Sequence, residues 1–155
     1  MDPLWIKYAH ILGATVLFGT GLGTAFHMWM THRSGDVRAI AVASRNTVLA
    51  DWLFTTPAVI MQPLTGALLI WHYGYALTDW WILASIGLYV LTGLCWLPVV
   101  GLQIRAARLS AKAAATGAAL PPDYHRTMRI WFLLGWPAFI AVLVIFHLML
   151  FKPMG

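Results

Sequence analysis

The stretch Trp5-Ile6-Lys7-Tyr8-Ala9-His10 opens an apolar, glycine-studded run that continues to Met30. The run from Leu4 to Met30 exceeds the roughly 20 residues an α-helix needs to cross a hydrocarbon core of about 30 Å. Lipid supplies no partner for backbone N–H and C=O groups, so a span that closes its own hydrogen bonds must be a helix. His10 puts an ionisable imidazole inside that helix. Such a position is costly and marks a functional candidate.

Three further runs of comparable character follow, at 52–72, 80–104 and 130–151. The chain has 155 residues, of which 61% are hydrophobic and only 10% charged. A soluble domain carries about 25% charged residues, so the composition belongs to the membrane class. Tryptophan and tyrosine stand at the ends of the runs (Trp5 and Tyr8, Trp52, Trp71 and Tyr73, Trp80 and Trp81, Trp131), as expected of interfacial belts. The fold predicted is therefore all-α: a four-helix up-down bundle forming one transmembrane domain over 1–155. The first run is too long for the apolar core of a signal peptide and is read as a mature span.

The formal net charge of +5 does not point to nucleic acid, because no aromatic-basic motif accompanies it. The basic residues concentrate in the segments 31–51 (Arg33, Arg38, Arg45) and 105–129 (Arg105, Arg108, Lys112, Arg126, Arg129). The turn at 74–79 has none. The positive-inside rule puts both basic segments in the cytoplasm, which makes the bundle N-out and C-out. The arginine pairs there are expected to meet lipid phosphates of the bilayer.

Smaller signals refine this picture. Val37, Ile40, Ala41, Ser44 and Val48 recur at helical spacing, which predicts an interfacial helix in the first basic segment. The alanine-rich start of the second is expected to extend the third span and stop at Gly117, and Asp123 is expected to cap the next helix. Pro57, Pro63, Pro98 and Pro137 predict kinks, with Gln62 satisfying a carbonyl freed by Pro63. Asp51 is read as a cap of the second span, paired with Arg45 or Arg105. Gly19 and Gly23 form a G-x-x-x-G that permits close helix approach, within the chain or in a homodimer. The single cysteine, Cys95, reads as a small packing residue.

The histidines carry the functional reading. With Trp5 at one interface, His10 lies five residues down, about 7–8 Å deep. His147 lies five residues from Lys152, at the matching depth and toward the same side. His72 falls at the same end of the second span, shallower. Two imidazoles at one depth on two helices are what a b-type haem needs as axial ligands in a bundle. His10 is the first candidate iron ligand, with His147 preferred and His72 as alternative for the second. Gly13, Ala14 and Gly21 share the His10 stripe and would leave room for a planar macrocycle. A bare metal ion would want more ligands. The acidic residues, Asp2, Asp36, Asp51, Asp79 and Asp123, all sit near the ends of the runs, which argues against a carboxylate relay.

Lys7-x-x-His10 with Gly13, Gly19-Thr20-Gly21-Leu22-Gly23, Ala50-Asp51-Trp52, Cys95-Trp96-Leu97-Pro98-Val99 with Gln103-Ile104-Arg105, and Leu148-Met149 with Lys152-Pro153 together resemble one family. It is the DUF2269-like bacterial family of small four-helix integral membrane proteins, and the likeness runs over nearly the whole chain. It implies the fold and a place in the bacterial inner membrane. A more distant likeness, confined to the tryptophan–lysine–histidine pattern of the first span, is to the HemJ type of protoporphyrinogen oxidase. That one implies haem binding at His10.

The leading expectation is thus a multi-pass inner-membrane protein that holds haem b near the periplasmic face. Its role would be electron transfer with quinone or another redox partner, and a haem-dependent oxidoreductase activity stays open. The alternatives are a non-catalytic scaffold of a larger complex and a small transporter. The transporter is disfavoured because four spans offer little cavity and show no buried acid.

Overall fold

A computed structural model describes residues 2–153. The elements are α1 (Pro3–Ser34), α2 (Val37–Ala50), one π-helical turn (Asp51–Thr55), α3 (Thr56–Tyr73), α4 (Trp80–Thr116) and α5 (Pro122–Phe151). Because α2, the π turn and α3 run on without a break, the chain forms four long rods. Each is long and apolar enough to cross a membrane. The protein is an all-helical, multi-pass membrane bundle.

The rods are longer than the apolar runs. Most of 31–51 and of 105–129 is helix, extending the bundle at the end that carries the arginines. Asp36 starts α2 by accepting from Arg38 N at 2.9 Å and Ala39 N at 3.2 Å, an N-cap that satisfies two otherwise unpaired donors. Ile40 and Ser44, two of the residues at helical spacing, are buried against the other helices. The alanine-rich extension of α4 does end at Gly117, whose φ of 66° is left-handed. Asp123 is not a cap. Pro121 holds the N-cap position of α5, and Asp123 in the first turn instead accepts from Arg105 at 2.9 Å. That salt bridge also leaves Arg105 engaged away from Asp51.

Gln62 does not serve its own helix either. Pro63 lacks an N–H, so the carbonyl four residues back, Val59, loses its helical partner. Tyr89 of α4 donates its hydroxyl to that carbonyl and ties α4 to α3 at the break. Gln62 is thereby free to reach α1, and its amide donates to His10 O at 2.9 Å.

The surface is apolar: Trp71 is 81% exposed and Leu150 76%. Several polar side chains lie inside, among them Ser44, Thr47, Ser110 and Thr127. Each of these donates to the carbonyl four residues earlier, at 2.7 to 2.9 Å, so burial leaves none of these four hydroxyl protons unpaired. Packing concentrates at the two ends. At the basic end Met28, Ile40, Ala43, Val99, Ala106, Tyr124, Met128 and Trp131 form a core, with Cys95 buried nearby as a free thiol. At the opposite end Trp81, Ile82 and Leu148 form a smaller one. There Lys152 Nζ donates to Tyr75 Oη at 2.6 Å and lies over the Tyr75 ring.

Candidate functional site

Helices α1 and α5 meet mainly through aromatic side chains. Phe18 stacks on Phe139 at 5.2 Å, and Trp29 meets Phe132 at 5.7 Å. Between these contacts the bundle encloses a cavity of about 570 Å³, bounded by α1, the π turn, α4 and α5. That is within the roughly 300–1,000 Å³ of small-molecule sites. Gly21 and Gly135 leave space on facing helices, since a β-carbon on either would meet nothing within 4 Å. Phe26 and Trp136, both on the wall, are also exposed at the surface, so the cavity is open at its side.

Five polar side chains break the apolar lining: Thr24, Asp51, Thr55, Thr92 and Gln103. Asp51 is 5% exposed and Gln103 7%. Thr55 donates to Asp51 Oδ1 at 2.8 Å, and Gln103 lies near the same carboxyl. Asp51 Oδ2, Gln103 Oε1 and Trp131 Nε1 are buried with no protein partner. Orphaned polar atoms on one cavity are costly, each by about 1–3 kcal/mol, unless something else meets them.

The π turn explains how Asp51 comes to sit there. Pro57 cannot donate to the carbonyl of Leu53, and the wide turn just before it bonds Thr56 N to Asp51 O, five residues back. This local widening places Asp51 and Thr55 together on the buried side. The Asp51 side chain therefore caps no helix start, and it pairs neither with Arg45, which is exposed, nor with Arg105, which holds Asp123. Reading Asp51 as a structural cap missed this site. The available signal was Asp51, Thr55 and Pro57 in one apolar run, with Gln103 a helix away.

The histidines lie elsewhere. His10 is half-buried on the seam of α1 with α3, where its Nδ1 is 2.8 Å from Thr65 Oγ1. Thr65 donates its own proton to Met61 O at 2.7 Å, so the imidazole is the donor in that pair and Nε2 keeps its lone pair. The space beside Gly13 is filled by Gln62, whose Nε2 would be 2.6 Å from a β-carbon there. Ala14 is half-buried, and Gly21 lies on the cavity wall rather than against His10. His147 is exposed, with its ring 4.5 Å from that of Phe151. His72 is exposed and edge-on to Tyr73. Each of these three rings thus has a different neighbour. Gly19 and Gly23 face open space, free for a second helix to approach.

Neither curated proteins nor solved structures give a match to this chain. A family model described as a predicted integral membrane protein does match, over residues 4–153. With four apolar rods in the fold and the match covering nearly every residue, the chain belongs to the DUF2269 family of integral membrane proteins.

Proposed function

We propose that this protein is a ligand-binding protein of the bacterial inner membrane, which takes a lipophilic molecule with a polar head into the cavity between α1, α4 and α5. One observation carries the reading: Asp51 Oδ2, Gln103 Oε1 and Trp131 Nε1 are buried without partners around an otherwise apolar space. A molecule with a polar head offers these residues a partner that an acyl chain cannot, and lays its body against the aromatic walls. A buried acid beside a cavity is also a feature that a small carrier can use. Both grounds for setting a transporter aside, too little cavity and no buried acid, are thereby removed.

The test is a panel of lipophilic probes, cationic, neutral and anionic, added to the full chain in nanodiscs with unfolding as the readout. Wild type should be raised in its midpoint by at least one probe, saturably. Gly135→Leu, whose β-carbon would meet no atom within 4 Å and whose longer side chain takes up cavity space, should lose that response while keeping its helix content. No saturable shift in wild type, or an equal one in Gly135→Leu, would sink the reading.

A second reading is favoured by the geometry at His10. An imidazole whose Nδ1–H is held by Thr65 and whose Nε2 is free is oriented as an iron-ligating histidine is. On this reading His10 holds haem b, His147 or His72 supplies the second ligand, and the bound group carries one electron to or from a quinone or another redox partner. Among the described residues the cavity wall has no histidine, cysteine or methionine, so a haem would sit at the His10 end, outside it. Protein expressed with haem supplementation should show a Soret band that His10→Ala abolishes. A colourless wild type ends this reading and leaves the first intact.

A further inference from the structure

The polar end of the cavity is short of positive charge. Among the described residues, Asp51 is the only titratable side chain on its wall. No basic side chain lines the cavity among the described residues, and the nearest printed approach is that of the exposed Arg33, whose guanidinium lies over the Trp29 ring at 5.2 Å. On α2 Arg45 is exposed, and on α4 Arg105 is exposed and bonded to Asp123. On α5 Arg126 and Arg129 are exposed. On α1 His27 is exposed, and His32 packs with Tyr124 and His125. A carboxylate left ionised and unpaired in such surroundings is strongly unfavourable, and its two remedies are a proton or a cation.

The rest of the wall suits the second remedy. Phe18, Phe26, Trp29, Trp96, Trp136 and Phe139 line the space, and the faces of such rings attract positive charge most when water is excluded. Asp51 and Gln103, each with a buried acceptor that has no partner, belong to the same wall.

We propose that the cavity takes a lipophilic organic cation, of the aryl- or alkylammonium kind, whose charge is met by Asp51. This rests on the cavity being a ligand site. When the cation enters, the Asp51 carboxyl gives its proton to water. The O–H bond is replaced by an ion pair, with one positive charge in and one proton out. The same exchange run backwards expels the cation when Asp51 is protonated.

The probe is tetraphenylphosphonium, a fixed cation that carries no proton, so any proton released on binding comes from the protein. Its isostere tetraphenylborate has the same shape and the opposite charge. Calorimetry on the full chain in nanodiscs, run in two buffers of different ionisation enthalpy, counts the protons. Tetraphenylphosphonium should bind wild type with release of a proton, and tetraphenylborate should not bind at this site. Asp51→Asn should weaken the cation by about tenfold or more and abolish the release, while Asp51→Glu retains both. Circular dichroism and the unfolding midpoint establish that each variant is folded. Cation binding that Asp51→Asn leaves unchanged, or equal binding of the borate, overturns the charge assignment. If that binding is still lost in Gly135→Leu, the cavity stands as a ligand site that does not select its occupant by the charge of Asp51. Insensitivity to both substitutions overturns the cavity reading itself.

Discussion

Gln62 of α3 donates its amide to the main-chain carbonyl of His10 on α1 at 2.9 Å, and the same nitrogen lies 2.6 Å from where a β-carbon on Gly13 would stand. Glycine at 13 is therefore what lets this inter-helix bond form. Gly13→Ala gains helix propensity of about 1 kcal/mol but pushes Gln62 off its acceptor, a loss of about 1 kcal/mol. The two nearly cancel in wild type. In a Gln62→Ala background nothing is left to displace, so Gly13→Ala should become stabilising. A double-mutant cycle on unfolding in micelles measures the coupling, and strict additivity would contradict the arrangement.

Tyr89 and Pro63 form a second coupled pair. The tyrosine hydroxyl is the donor that Val59 O lost to the proline. Tyr89→Phe should cost about 0.6–2 kcal/mol, the usual range for a polar contact between helices in a membrane. Pro63→Ala restores an N–H within α3, so the same tyrosine change should cost much less in that background. An unchanged cost would show that the hydroxyl acts elsewhere.

Tyr124 is the largest fully buried side chain, at 0% exposure in the basic-end core. Its truncation to alanine should destabilise by about 3–5 kcal/mol, as large aromatic deletions do when the surroundings collapse only in part. Denaturant titration in micelles checks this, and a loss below about 1 kcal/mol would mean that the packed end is not what holds the helices together.

Arg105 and Asp123 form an ion pair with side chains 52% and 61% exposed. Arg105→Ala should change stability by no more than about 1 kcal/mol, because water and salt screen such pairs. The same titration at low and high ionic strength tests it. A larger loss that salt does not diminish would assign the pair a structural weight its exposure does not support.

What was legible in the residues follows from one-dimensional physics. A run such as Leu4 to Met30 has to be a helix across lipid because its backbone must bond to itself, and Gly117 ends α4 because a left-handed residue stops a helix. The apolar runs also stopped short of the true helix ends. Hydropathy registers where lipid is, whereas 31–51 and 105–129 stay helical by capping and by packing on one another.

The site was not legible in the same way, because in membrane helices apolar residues face both lipid and core, and composition does not tell the two faces apart. Counting residues placed His10 and His147 at one depth, but the direction of each side chain came from its neighbours: Thr65 for the first, open surface for the second. Asp51 shows the point most clearly. Its position at the start of an apolar run read as a cap. Only the π turn before Pro57 and the packing of α4 and α5 decided that its carboxyl lies inside, on a cavity, with no charge to meet it. Hydrophobicity alone determined that four helices cross a membrane; the tertiary structure decided which polar atoms they enclose, because rotation about a helix axis is set by contacts between helices and not by the run of residues along one.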